Sequence, residues 1–187
     1  GGKYASGTGP HAMVFNTAGT HLYVQHREGG DVAHFAVNTT TGGLTKIPST
    51  ESDGNYTSGN FTADIAISPD NRFIYTCNAY SDTYTVYGLN ASTGKPSFIG
   101  SYPTGDWPVS ILMAMEGNYV LIVDNVDEDV RVYRRNVVTG ALTLMRASAA
   151  NAGYDVGNYP GANGGLTPDG RHIYVCNFGG DDISMFS

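Results

Sequence analysis

The sequence predicts an all-β fold, a β-propeller of four-stranded antiparallel blades, because one phrase returns four times along the chain. The clearest copies are SPDNRFIYTCNAYSDTYTVY at residues 68–87 and TPDGRHIYVCNFGGDDISMF at 167–186; weaker copies span 17–35 and 115–133. Aligning the copies makes Tyr23, Tyr75, Ile122 and Tyr174 equivalent, at a spacing of roughly 50 residues that is typical of propellers and solenoids.

Each repeat contains the same four elements in the same order. A short apolar run bounded by Gly or Pro indicates an inner strand along a central channel, and a run rich in aromatic and β-branched residues indicates the second strand. The third strand alternates apolar and polar residues, and a short outer strand follows. The predicted inner strands are 11–16, 63–68, 109–114 and 162–167, the second strands 21–26, 72–78, 119–125 and 171–177, the third strands 32–37, 83–87 and 130–133, and the outer strands 44–48, 97–102 and 142–147.

The turns between the third and outer strands share one composition. They read TTGG at residues 40–43, STGK at 92–95 and VTGA at 138–141. Glycine is the residue that most readily takes the left-handed conformation that such turns require. We therefore interpret all three as turns that lead into a short outer strand.

The two ends of the chain suggest how the ring closes. The last repeat stops at Ser187, after its third strand, whereas residues 2–10 resemble an outer strand and its linker. We expect this N-terminal strand to pair with the last sheet and cover its open edge. Residues 1–187 then form a single β-propeller domain or a partial propeller. Three architectures remain: a closed four-bladed propeller, half of a larger ring completed by a second copy, or part of a longer propeller polypeptide.

Charge and composition exclude several classes of partner. Ten basic residues stand against seventeen acidic ones, a net charge of −7, which argues against nucleic acid or an anionic membrane surface as a partner. No apolar run is long enough to span a bilayer. The chain shows no signal peptide and no initiator Met, which suggests a mature or processed form. Four Asn-x-Ser/Thr sequons in predicted loops indicate a secreted, extracellular glycoprotein with glycans at Asn38, Asn55, Asn60 and Asn90.

The cysteines and acidic residues predict neither a metal site nor a cofactor. Cys77 and Cys176 occupy the same position of two repeats that are not neighbours, too far apart for a disulfide, so we expect two buried thiols. Without a CxxC pair they do not form a zinc site. The run DNVDED at 124–129 offers oxygen ligands for calcium but lacks the glycine and spacing of a dedicated loop, so we interpret it as a solvated hairpin turn.

The repeat signature resembles that of a known family. Its parts are S/T-P-D-G/N-R-x-I-Y, the Asn that follows, a D-x-x-x-x-Y/F phrase and the turn N-x-x-T-G-x-L, and they cover most of the chain. Through them the chain resembles the lactonase-type seven-bladed β-propellers, which include 6-phosphogluconolactonase-like proteins and fungal carboxy-muconate cyclases. The resemblance implies a ring of which this chain supplies about four blades, and chemistry on a small lactone or carboxylate.

One segment is similar to the fungal cyclases in particular. Residues 9–15, GPHAMVF, followed by THLY at 20–23, resemble their G-x-H-G-M-V-F…Y-L-Y segment. This resemblance implies that His11 is catalytic, and an imidazole at a channel mouth can carry the proton that lactone opening requires. The family has an Arg early in the next inner strand and a Glu after the next second strand; alignment places Ala63 and Ala79 there.

The remaining candidate residues have simpler interpretations. Trp107 begins an inner strand near one rim, where it could stack on a sugar or another flat ligand or pack between blades. Blade faces and edges are the expected locations of His21 and His34, and the second strands those of His26 and His172.

Two functional hypotheses follow. The first is a lactonase or cycloisomerase that acts on a small lactone or carboxylate at the channel mouth with His11 as its catalytic residue, and a lactone or a carbohydrate is its expected small-molecule partner. The second is a catalytically inactive, secreted propeller glycoprotein with a binding or structural assembly role, and the replacement of the family's Arg and Glu favours it.

Overall fold

The computed structural model describes residues 2–49, 56–145 and 154–187. These ranges contain seventeen strands and two short 3₁₀ helices. The strands are β1 (Pro10–Phe15), β2 (His21–His26), β3 (Asp31–Val37), β4 (Leu44–Ile47), β5 (Tyr56–Thr57), β6 (Thr62–Ile67), β7 (Phe73–Asn78), β8 (Thr83–Leu89), β9 (Pro96–Pro103), β10 (Pro108–Ala114), β11 (Tyr119–Asp124), β12 (Asp129–Arg135), β13 (Leu142–Leu144), β14 (Tyr154–Asp155), β15 (Pro160–Leu166), β16 (Ile173–Asn177) and β17 (Asp182–Phe186), and the helices are Ala79–Ser81 and Met115–Gly117.

The strands form four antiparallel sheets that follow the chain order, which confirms the predicted blades. The first sheet has the order β1-β2-β3-β4, the second β6-β7-β8-β9, the third β10-β11-β12-β13 and the fourth β15-β16-β17. In the first and third sheets the outer strand has two pieces, because β5 also pairs with β3 and β14 with β12. The sequence predicted one outer strand there.

Apolar faces of neighbouring sheets pack together and form the core between them. Alternation along each strand sends one set of side chains toward the preceding sheet and the other toward the following one. Each of the three junctions between sheets holds a buried cluster, and a fourth cluster, which includes Phe35, lies within the first sheet. The largest joins the second and third sheets through Tyr75, Cys77, Tyr84, Ile111 and Ile122, among others.

In the first and second sheets, one tyrosine of each sheet forms a hydrogen bond to the glycine turn of the next sheet. The hydroxyl of Tyr23 donates to the carbonyl of Gly94 over 2.7 Å, and that of Tyr75 donates to the carbonyl of Gly140 over 2.8 Å. Burial raises the pKa of both phenols, so they stay protonated donors. The repeated tyrosine therefore contributes a hydrogen bond between blades as well as apolar contact.

The third sheet corrects one alignment made from the sequence. Asp124 pairs with Pro108 just as Asn78 pairs with Thr62, so Leu121 lies at the position of Tyr75. The sequence alignment chose Ile122 instead. Because a shift of one residue moves a side chain to the opposite face, Ile122 packs back against the second sheet.

The four sheets form an open arc, and the closed four-bladed ring is not formed. Inner strands contact in series, β1 with β6, β6 with β10 and β10 with β15, while no comparable contact joins β15 to β1 within the described ranges. Half of a larger ring and part of a longer propeller remain as the two architectures that fit.

The expected pairing of the N-terminal segment with the last sheet is also absent. In the described structure the fourth sheet has three strands, and residues 2–9 lie against the first sheet instead. The carbonyl of Ser6 accepts a 2.7 Å hydrogen bond from Lys46 Nζ, and Gly7 lies against the ring of His26. The physical reason is distance, because the first and fourth sheets lie at opposite ends of the arc.

The outward face of the fourth sheet exposes large side chains whose equivalents in the second sheet are buried. Tyr174 and Met185 pair as Tyr75 and Val86 do, yet they are 41% and 58% exposed. Cys176 lies on the same face and is an exposed free thiol, whereas Cys77 is buried. The expectation of two buried thiols was therefore wrong for Cys176, because no sheet of the described residues packs on that face. Within the described segments, no helix has the length and apolar character needed to cross a bilayer.

Candidate functional site

All four inner strands begin with the same backbone geometry at one end of the sheets, which we call the upper rim. The upper rim comprises residues 8–11, 60–63, 106–109 and 158–161 and the turns 27–30, 79–82, 125–128 and 178–181. The residue just before each inner strand has positive φ: Gly9 (+67°), Phe61 (+55°), Trp107 (+58°) and Tyr159 (+51°). Bulky residues rarely adopt this conformation. Its repetition presents three aromatic side chains at one end of the propeller.

A β-bulge places His11 on the upper rim. The register of β1 against β2 shifts between Pro10 and Ala12, so His11 is the extra residue. Equivalent shifts occur around Ala63 and Val109 at the starts of β6 and β10. Such a bulge redirects a side chain out of the regular alternation. It explains how a residue of an inner strand reaches the junction with the next sheet.

One hydrogen bond fixes the tautomer of neutral His11. Its Nδ1 lies 3.0 Å from the carbonyl oxygen of Ala63 on the neighbouring sheet. A carbonyl only accepts, so Nδ1 must carry the proton and Nε2 the lone pair. The residue is exposed. His11 therefore presents a basic nitrogen to solvent from a ring whose orientation is fixed by the adjacent sheet.

Asp64 is a second ionisable group beside His11, and sequence reasoning missed it. Its Oδ2 accepts hydrogen bonds from Ser110 Oγ (3.1 Å) and the amide of Ile111 (3.0 Å), which joins the second and third sheets. Burial raises the pKa of the Asp64 carboxyl, while those bonds and the nearby His11 act to lower it.

Trp107 belongs to an aromatic ladder along the same rim. Its amide donates to Asp82 Oδ1 over 3.0 Å, and its ring lies 4.9 Å from that of Tyr80. Tyr80 in turn stacks on Phe61 with ring centroids 4.1 Å apart. The half-buried Trp107 thus packs between sheets while part of it stays accessible. This packing was one of its two predicted interpretations, and ligand stacking stays a prediction.

The positions of the family's Arg and Glu hold small side chains here, as the alignment indicated. Ala63 and Ala79 are both buried, and the amide of Ala79 donates to the carbonyl of Phe61 over 2.9 Å. In the first sheet the position of Ala79 is occupied by Arg27, whose amide makes the same bond to Gly9 over 2.8 Å. Alignment of the repeats could have revealed this cation, because each residue directly follows a second strand.

Comparison with known proteins assigns the architecture. Residues 2–156 match the family described as "Lactonase, 7-bladed beta-propeller". The chain belongs to this family. Over 146 residues it is 29% identical to a 6-phosphogluconolactonase of Formosa agariphila, covering 76% of this chain and 41% of that protein. It is 26% identical over 157 residues to a 6-phosphogluconolactonase of Serratia proteamaculans, covering 83% and 46%.

A solved structure agrees with this assignment. A crystal structure from Bacteroides uniformis, described as a candidate 6-phosphogluconolactonase, is similar with a TM-score of 0.70 at 26% identity. The match covers 83% of this chain and 43% of that one. The chain therefore spans less than half the length of these relatives. The recognition of a lactonase-type propeller from the repeat signature is confirmed, and the closer likeness to fungal cyclases stays a prediction.

An apolar groove of this lactonase-family propeller lies away from His11. It has a volume of about 530 Å³ and opens between the third and fourth sheets. Its lining includes Leu121, Val130, Ile173, Met185 and Phe186. Tyr119, Tyr154 and Arg171 also line it, but its described lining includes no histidine, aspartate or glutamate that could serve as a general base near neutral pH.

The acidic run of the propeller is only partly the solvated turn that its sequence suggested. Asp124 and Asp129 are fully buried at the ends of β11 and β12. Arg131 Nε lies 3.2 Å from Asp124 and 3.6 Å from Asp129, and its Nη2 lies 2.5 Å from Asp127. Alternation of the hairpin strands turns these side chains inward, where a cation must accompany them. No group of metal-ligating side chains assembles within the described ranges.

The other histidines lie in sheet interiors or at sheet ends. His34, expected on a blade face or edge, is fully buried between the first two sheets, stacked on Tyr23 and 2.9 Å from His21. His26 is buried with Asp31. Burial, together with His21 and Lys95, lowers the pKa of His34 to about 4.

We expect the shift of His34 to make the propeller less stable in acid. The unfolded chain takes up the proton near pH 6.5 and the folded chain only near pH 4, so stability falls as the pH is lowered between these values. A His34→Phe variant should lack this contribution, about 2 kcal/mol. Urea denaturation at pH 7 and pH 4.5 measures it. An identical pH dependence in both proteins, or the same change in a His172→Phe control, would contradict the assignment.

The sequons lie on the surface where the structure describes them. Asn38, Asn60 and Asn90 are exposed, and the side-chain oxygens of Asn38 and Asn90 each accept two backbone amides of their own turns. Asn55 lies outside the described residues. Glycosylation and secretion stay predictions.

Proposed function

We propose that this chain forms the catalytic part of a propeller that hydrolyses a small sugar lactone, with His11 as the general base. The observation that carries the proposal is the His11–Ala63 hydrogen bond, because it leaves a basic Nε2 at the channel mouth of a lactonase-family propeller. The relatives named 6-phosphogluconolactonase support a sugar-phosphate lactone as the substrate.

The reaction adds one water across the lactone ester bond. His11 Nε2 accepts a proton from water as the water oxygen attacks the carbonyl carbon, and a tetrahedral intermediate forms. The bond from carbon to the ring oxygen then breaks, and the ring oxygen takes the proton from the imidazolium. The product is the open hydroxy acid.

A pair of histidine variants tests the proposal. We expect His11→Gln and His11→Ala to lower kcat/KM for hydrolysis of 6-phosphogluconolactone by about a hundredfold, which is the smaller end of the range for general base catalysis. His172→Gln, at the opposite end of the fourth sheet, should keep full activity. Undiminished hydrolysis in the His11 variants would show that the residue is not catalytic.

The competing interpretation is a propeller that binds but does not catalyse. The small side chains of Ala63 and Ala79 at the family's Arg and Glu positions favour it. The same measurement decides, because a pure protein without any lactonase turnover leaves only the binding role.

A further inference from the structure

Arg27 is held rigidly at the upper rim by contacts on both sides of the junction between the first two sheets. Its amide donates to the carbonyl of Gly9 on the first sheet. Its guanidinium carbon lies 3.8 Å from the centre of the Phe61 ring, which belongs to the second sheet. Tyr80 stacks on Phe61 and contacts Trp107. A guanidinium stacked on such a ladder keeps its N–H groups in the plane of the stack, free to bind at its edge.

This guanidinium has no counter-ion in the described structure. The other buried or half-buried arginines have counter-ions: Arg131 and Arg135 pair with carboxylates, although Arg131 Nε and Arg135 Nη1 also lack a hydrogen-bond partner among the described residues. Arg27, in contrast, forms no ion pair with a described residue, and its buried Nε has no hydrogen-bond partner there. Removal of a cation from water without compensation is unfavourable, so the site favours an added anion.

His11 and Arg27 both belong to the first sheet, and both contact the second sheet at neighbouring residues of one segment. His11 bonds the carbonyl of Ala63, and Arg27 covers the ring of Phe61, two residues earlier in the chain. Both side chains therefore contact the short segment 61–63 at the start of β6, so a proton acceptor and a guanidinium face the same junction at the upper rim.

We propose that Arg27 binds the anionic group of the substrate, a phosphate ester or a carboxylate, while His11 acts on the lactone carbonyl. This proposal rests on the lactonase function. Arg27 is then a specificity-determining residue: it selects lactones that carry a negative charge at the end remote from the reacting ester. The planar guanidinium fork matches both anions in a bidentate arrangement.

Substrate selectivity tests the role of Arg27. Arg27→Met keeps an unbranched side chain against Phe61 and removes the charge; Arg27→Lys keeps the charge without the fork. We expect Arg27→Met to raise KM for 6-phosphogluconolactone about tenfold or more, Arg27→Lys to raise it less, and both to leave KM for unphosphorylated gluconolactone within about twofold. Arg134→Met, which removes an exposed charge at the opposite end of β12, is the matched control and should change neither value. Equal effects of Arg27→Met on both lactones would overturn the proposal.

Anion binding without turnover separates this proposal from the lactonase function. Inorganic phosphate and acetate are titrated into the protein and followed by NMR of the arginine Nε–H signals. Binding that Arg27→Met abolishes and Arg134→Met retains supports the subsite, even if no lactone is hydrolysed, in which case only the lactonase function fails. The stronger of the two ligands identifies the preferred anion. If neither ligand binds, or if both bind equally to Arg27→Met, the subsite is refuted.

Discussion

Arg131→Met is expected to destabilise the protein by about 3–5 kcal/mol, because it removes the cation that accompanies two buried carboxylates. Asp124 and Asp129 are both fully buried, and Arg131 Nε lies between them. Methionine keeps much of the side-chain volume, so the loss measures charge and not a cavity. Chemical denaturation at neutral pH provides the free energy of unfolding.

The pH dependence of this loss is a sharper test. Burial raises the pKa of Asp124 and Asp129, and repulsion adds to it, from Asp129 and Asp127 for Asp124 and from Asp127 for Asp129. When the pKa of a carboxyl group is higher in the folded than in the unfolded state, the free energy of unfolding falls as the pH rises from the unfolded-state pKa to the folded-state pKa. Removing Arg131 raises both values further, so the difference between variant and wild type should be larger at pH 8 than at pH 5.

Two further variants separate the ion cluster from a general loss of charge. Arg134→Met changes an exposed neighbour on the same strand and should cost less than about 0.5 kcal/mol. Asp124→Asn introduced together with Arg131→Met should recover part of the loss, because one buried charge is removed. Equal losses in Arg131→Met and Arg134→Met would contradict the argument.

The cluster also shows what the repeat pattern could not predict. The residues equivalent to Asp124 in the second and fourth sheets are asparagines with other partners. Asn78 donates to Thr83 and Thr85, and Asn177 donates to Asp182 and Ser184. The sequence predicts the hairpin in every case. The burial of its ends arises from the preceding linker, because Gly105 lies directly against Asp124.

The strands were predictable because each has a local signal. Alternation, aromatic and β-branched residues and the Pro-Asp turns placed most strand ends within two residues of those observed. The arc, the register of Leu121 and the site depend on contacts between repeats instead. His11 became a candidate through its resemblance to the family, whereas the contacts that make Arg27 and Asp64 candidates come from neighbouring sheets.

Gly140→Ala is expected to destabilise the protein by about 3 kcal/mol, through two separate effects. Its φ of +76° is unfavourable for any residue with a Cβ and costs about 1 kcal/mol. A Cβ there would also lie 2.4 Å from Cδ1 of the buried Phe73 ring, and overpacking of this kind costs about 1–3 kcal/mol.

Gly42 offers a matched control for the first effect alone. It occupies the same place in the turn of the first sheet, with φ of +72°, and a Cβ there would meet nothing within 4 Å. We expect Gly42→Ala to lower the free energy of unfolding by about 1 kcal/mol. The difference between the two variants, measured by urea denaturation, isolates the contact with Phe73.

A double-mutant cycle then assigns that difference to one ring. Phe73→Leu shortens the side chain that the new Cβ would strike, so Gly140→Ala should cost little more in this background than Gly42→Ala costs in the wild type. If its cost stays near 3 kcal/mol, the strain instead lies in the backbone, whose Gly140 carbonyl accepts the Tyr75 hydroxyl. Gly42 and Gly140 follow a threonine in turns of the same composition and have similar positive φ values. Only Gly140 lies against Phe73 of the second sheet, which makes its replacement far more costly.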